Sequence, residues 1–272
     1  MKNKIAGAVK IWNMAQGIST AEIEAAIALP VTLAVVGADD AIASAIDRLG
    51  RERADTIAGQ DVSEHIRRGA EPGQGAGDVI VFDADLVAGS EQALKAVVDD
   101  ILDRRGEARI GLAKRFPAFR PAVIEQVSAE YARRNAKLAG LSALPGVIPA
   151  GDWLLPFTAA GDLVALTRNQ VELFLMVAAC YGLPPDLRQR TREFAFVVGG
   201  AFLWRAAARQ AIGFVPAGVG VVVKAAVAYA GTYAIGRAAG AYFASGGHGA
   251  SSTDVRRYIR DGMRVLRTPR NR

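Results

Sequence analysis

The sequence predicts an α/β layer with a small parallel sheet, followed by an α-helical domain built as a hairpin or bundle. Three observations carry that expectation. Short β-branched runs alternate with helical patterns through the first half of the chain. Beyond Pro145 the composition shifts to Ala, Gly, Val and Leu with few turn signals. The stretch from Thr253 to Arg272 holds seven Arg against two Asp, so the net charge of +6 resides almost entirely in the tail.

A chain of 272 residues has room for two domains. Hydrophobic residues make up 51% and charged residues 22%, and the mean hydropathy is +0.18, a balance between that of an ordinary enzyme and that of a polytopic transporter. Cys180 is the single cysteine, which excludes an intrachain disulfide, no Cys/His spacing forms a zinc site, and no cofactor is expected. The first residues lack the basic stretch, apolar run and small-residue cleavage site of a secretory signal, so a reducing, cytoplasm-facing setting is expected.

Met1 to Gln16 places Ile5, Val9 and Trp12 on one face beside Lys2, Lys4 and Lys10, the pattern of a short basic amphipathic helix ended by Gly17. Ser19 and Glu22 make a capping box for a second helix that Pro30 ends. Val31 to Val36 is a continuous β-branched run, as expected of a buried parallel strand, and a helix follows from about Ala41 to Leu49. Past the Gly-rich loop from Gly69 to Gly77, a second strand is predicted over Asp78 to Phe82. A helix over Ser90 to Arg104, a third strand over Arg109 to Ala113 and a long helix from about Pro121 to Leu141 complete this half. The second half predicts helices over Asp152 to Tyr181, Leu187 to Ile212 and Ala217 to Phe243, then a Gly/Ser linker from Ser245 to Ser252. Thr253 is the expected cap of a last helix whose apolar stripe is Val255, Tyr258, Ile259, Met263 and Leu266.

A strand, a glycine and a helix in succession is where a phosphate-binding loop would sit. The residues after Val36 read Gly37-Ala38-Asp39-Asp40-Ala41-Ile42-Ala43-Ser44. Such a loop needs a second glycine for backbone amides to wrap the phosphates, a lysine for the β and γ charges and a Ser/Thr for magnesium. Only Gly37 and Ser44 stand in matching places, as a vestigial phosphate loop at most. Ile42 and Ala43 occupy the other two, and two aspartates would repel phosphate. The expected reading is a turn with Asp39 or Asp40 capping the helix. Asp83 and Asp85, at the end of the second strand, are weak candidates for a divalent metal. His65 and His248 have no triad or metal spacing, and Cys180 reads as a packed apolar side chain. No catalytic residue is assigned.

In the helix over Ala217 to Phe243, positions four apart are Lys224, Ala228, Thr232, Gly236 and Gly240. Such a row of small side chains lets a second helix approach closely, in membranes or in Ala-rich bundles. Two of the predicted helices are long enough to span a bilayer, but Arg205, Arg209 and Lys224 beside the turn Gly213 to Pro216 would each cost about 2.5 to 3.5 kcal/mol at its centre. An inserted hairpin and a surface-bound bundle are both compatible with the sequence. The tail arginines Arg256, Arg257, Arg260 and Arg264 are the expected lipid contacts.

The landmarks of the second half are Ile148-Pro149 with Asp152, Gln170 in an apolar helix ending Tyr181-Gly182, Val215-Pro216 with Gly218, Lys224, and Gly231-Thr232-Tyr233-Ala234-Ile235-Gly236 followed by Tyr242-Phe243. In this order they resemble the YcjF-like family of helical domains of unknown function, found in bacterial membrane-associated proteins and often fused to Era-like GTPase domains. The resemblance covers about 100 residues. It implies a membrane-associated helical domain and a preceding degenerate GTPase-like α/β domain, shortened and without nucleotide motifs. The expected organisation is a basic helix over 1–18, the GTPase-like domain over 19–143, the YcjF-like domain over 144–245, and a linker with Arg-rich tail over 246–272. The expected function is a non-catalytic interaction or scaffolding module on the cytoplasmic face of a bacterial inner membrane. Its expected partners are membrane lipids and a protein partner or second copy, not nucleic acid or nucleotide. The alternatives are a soluble cytoplasmic protein and a GTPase-related protein that binds nucleotide through a non-standard site.

Overall fold

The computed structural model describes residues 20–52, 60–68, 79–141, 159–195, 197, 220–247 and 252–267. The described chain is mostly helical, with one three-stranded parallel sheet. It divides into two compact units. One comprises 21–124 with 178–185, and the other comprises 1–20, 125–177 and 186–272. The first division falls between Ile124 and Glu125, inside a helix, and the eight residues 178–185 are grouped with the α/β unit.

In the α/β unit, α1 (Ala21–Ala28) leads to β1 (Thr32–Val36), α2 (Asp39–Leu49), β2 (Ile66–Arg68), β3 (Val79–Asp83), α3 (Ala84–Ala88), α4 (Glu91–Arg104) and α5 (Arg109–Arg115). The sheet order is β2-β1-β3, with Leu33 opposite both Ile66 and Ile80. As the central strand, β1 is covered on both faces, and Leu33, Ala34 and Val35 are wholly buried. That is why its sequence is continuously apolar and does not alternate. Edge strand β2 buries Ile66 and exposes Arg67 and Arg68, charges that discourage further pairing.

The strand expected over Arg109 to Ala113 is instead helix α5, and the third strand is β2. Ile110, Gly111, Leu112 and Ala113 are all buried in succession, a pattern that a buried strand and a buried helix share, so the apolar run alone does not separate the two. Helix α5 packs on α1 at Gly111, where a Cβ would lie 3.0 Å from the Arg115 Nη1 and in ordinary contact, 3.4 Å, with the Ile27 carbonyl oxygen. Ile66-Arg67-Arg68 carries one apolar residue among polar ones and gave no periodic signal. The other expected elements agree with the structure within a few residues: β1, α2, β3, α4 and the long helix α6 (Arg120–Leu141).

The helical unit contains the later part of α6, most of α7 (Ala159–Cys180), α8 (Gly220–Ala244) and α9 (Ser252–Arg267), with a helical turn at 191–195. Helix α8 is its centre. Tyr229, Ala230, Ala234, Ile235 and Ala239 are buried on several sides of it. Helix α9 starts at Ser252, one residue before the expected cap. Among the described residues no helix is long and apolar enough to cross a membrane. The predicted basic helix over 1–16 and the hairpin turn with Arg205 and Arg209 lie outside the described residues, as do His248 and the Gly69 to Gly77 loop.

Candidate interaction surface and the predicted site residues

Helix α9 forms because its apolar residues recur on one face. Tyr258, Ile259 and Gly262 are buried and Val255 and Met263 half-buried, and that side is seated on α8. Gly262 allows the closest approach, since a Cβ there would lie 3.2 Å from both the Ala230 Cα and the Tyr233 ring. The opposite side carries Arg256, Arg257, Arg260 and Arg264, all exposed. Arg257 pairs with Asp254 at 3.0 Å and Arg264 with Asp261 at 3.9 Å. The Arg257 and Arg237 guanidinium groups lie 5.4 and 5.8 Å from the centre of the Tyr258 ring. The Arg257 guanidinium is held above its usual value, chiefly by Tyr258. The apolar stripe thus meets the chain's own α8, and the arginines, expected from the sequence to contact lipid, face outward.

The small-residue row of α8 is a packing seam. A Cβ on Gly236 would lie 2.1 Å from the Ser128 Oγ of α6. One turn earlier the Asn135 amide of α6 donates to the Thr232 hydroxyl at 2.8 Å, and the Asn169 amide of α7 donates to the Asn135 carbonyl oxygen at 2.7 Å. Gly240 is buried, Ala228 half-buried and Lys224 exposed at the near end of the helix. Gly140 faces Ala225, so α6 and α8 run antiparallel along the row. Gln170, a landmark of the family resemblance, is buried in α7, and among the described residues its amide nitrogen has no hydrogen-bond partner.

Gly37 lies in a turn of only two residues between β1 and α2. It has φ +152° and its Cβ position is 2.9 Å from the Ala84 Cβ, so both conformation and close approach favour glycine. Ser44 is on α2 and half-buried. The cap of α2 is Ala38, which makes no side-chain cap bond, so Asp39 and Asp40 are first-turn residues rather than caps. They complement the positive end of the helix dipole. The Asp83 carboxylate accepts from the Asp85 amide at 2.9 Å and caps α3, and both aspartates are exposed. Among the described residues no group of three or more His, Cys, Asp or Glu is placed to hold a metal. His65 lies edge-on to Phe116 at 6.1 Å. Cys180 is buried, and that burial pushes its thiol up to about 12.

One polar cluster of the α/β unit has no counterpart in the sequence reading. The Arg120 Nε donates to the carbonyl oxygens of Ala113 and Cys180 at 3.2 and 3.1 Å, and Nη2 donates to the Gln60 side chain at 3.2 Å. Its guanidinium lies 4.8 Å from the centre of the Tyr181 ring, and the Tyr181 hydroxyl donates to Glu52 at 2.8 Å. These residues are 60 or more positions apart in the pairs that matter, and no local spacing announces them.

No family model, curated protein or solved structure matches the chain.

Proposed function

We propose that the protein is a non-catalytic, membrane-associated interaction or scaffolding module of YcjF-like type, working on the cytoplasmic face of a bacterial inner membrane. Its α/β unit is read as a GTPase-like domain that has lost nucleotide binding. The observation that supports this reading best is the division of labour on α9, with one side spent on packing and the other an exposed set of four arginines. Such a surface suits an extended anionic partner, which a bilayer rich in acidic lipid provides. The two-residue turn after β1 supports the loss of nucleotide chemistry, because it is too short to wrap a triphosphate and leads into Asp39 and Asp40.

Cell fractionation tests the membrane reading. The protein is expected in the membrane pellet and released by high salt before alkaline carbonate is needed. Recovery in the soluble fraction at low salt would overturn it. Thermal melting with millimolar GTP and magnesium tests the other half: no upward shift is expected, and a rise of several degrees would favour the nucleotide-binding alternative.

A further inference from the structure

The mode of membrane contact follows from what α9 has already committed. We infer that the helix binds anionic lipid headgroups lying flat and still docked on α8, through Arg256 and Arg260 first, without inserting its apolar stripe. This deepens the membrane reading above and rests on it.

An interfacial amphipathic helix gains affinity by burying its apolar face among acyl chains. On α9 that face is occupied: Tyr258 and Ile259 are 8% and 6% exposed, and Gly262 is pressed on Ala230 and Tyr233. Insertion would strip this packing from α8 before any lipid contact replaced it. The outer side needs no rearrangement. Arg256, Arg260 and Arg264 stand four residues apart, a row of about 12 Å along the helix. Among the described residues Arg256 and Arg260 make no ion pair, whereas Arg257 and Arg264 have Asp254 and Asp261. Among the described side chains of α9, Arg256 and Arg260 are therefore the two arginines that share their charge with no aspartate.

The same row argues for a bilayer over nucleic acid. Stacking proteins present exposed aromatic rings, and the aromatic of α9, Tyr258, is buried with two guanidinium groups near its ring. The described outer face offers arginine and aspartate, and no Asn or Gln for base edges.

Sedimentation of the full-length protein with phosphatidylcholine vesicles, with and without phosphatidylglycerol, tests the inference. Binding is expected only with the anionic lipid and is expected to vanish in high salt. Losing each arginine lowers partitioning by about fivefold, so R256E/R260E is expected to bind at least about 25-fold more weakly. R256K/R260K should bind nearly as the parent does. R188E/R192E, an equal charge change on another exposed site of the helical unit, should retain most of the binding. Both exposed arginine pairs can change without altering the melting curve, which confirms that each variant is folded. Equal losses in R256E/R260E and R188E/R192E would overturn the inference and leave membrane association standing, as would salt-resistant binding or equal binding to uncharged vesicles. No vesicle binding by the parent would overturn both. Tighter binding to a mixed-sequence oligonucleotide than to anionic vesicles would replace lipid with nucleic acid.

Discussion

Burial decides the chemistry of several single residues, and the consequence is measurable. The Cys180 thiol, pushed up to about 12, is neither ionised nor accessible at neutral pH. A water-soluble thiol reagent should therefore label it only as fast as the α/β unit opens, so its rate should rise with urea in step with unfolding. Rapid labelling in native buffer would contradict the packing. Burial likewise raises the Tyr131 and Tyr233 phenols to about 12, assisted by Glu172 for the first and Glu125 for the second. A phenol that ionises later in the folded state stabilises it fully below the unfolded value of 10.0. That stabilisation is lost as the pH climbs towards 12. Stability measured by urea titration should accordingly fall between pH 10 and 12, with delayed tyrosinate absorbance, and Y131F/Y233F should flatten the fall.

At the scale of helices, the α6–α8 seam depends on having no side chain at position 236. Gly236→Ala places a methyl against Ser128, a clash expected to cost about 1–3 kcal/mol despite the better helix propensity of alanine. The double variant S128G/G236A should recover part of that loss, and urea titrations of both would show it; an unchanged midpoint in G236A would mean that the helices are farther apart. The row from Lys224 to Gly240 is visible in the sequence because a four-residue period of small side chains has few other uses. Its partner is not visible. Ser128 and Asn135 interrupt the apolar face of α6 at positions where only the fold reveals that Gly236 and Thr232 stand opposite. The α/β elements divide in the same way. The continuous run of β1 carries its own signature, whereas β2 holds one apolar residue among three and is recognisable as a strand only by its pairing with β1. Sequence patterns alone also placed the arginines of α9 on one side, but could not show that the apolar stripe was already occupied.

At the scale of the whole chain, the α/β unit does not end where its last strand and helix suggest. Residues 178–185, the end of α7 and the turn after it, belong to that unit although the chain has by then passed through α6 and most of α7. The Arg120 cluster shows why. The Cys180 carbonyl accepts one of the Arg120 hydrogen bonds, the Tyr181 ring lies near the guanidinium, and the Tyr181 hydroxyl satisfies Glu52, whose carboxylate is otherwise 3.9 Å from Arg120. The side chains of Arg120 and Glu52 are only 14% and 18% exposed, so water cannot readily replace these partners. A fragment ending at Leu141 would keep all three strands yet leave this cluster incomplete. It is expected to melt well below the α/β unit of the full chain and to exchange the amides of β1 faster. In the full chain Tyr181→Phe removes the Glu52 hydrogen bond, with an expected cost of about 1 kcal/mol, while Arg120→Ala takes a donor from two carbonyls and should cost more. A fragment as stable as the intact unit would mean that Cys180 and Tyr181 merely rest against it; a marked loss is the outcome expected if residues 178–185 complete the unit.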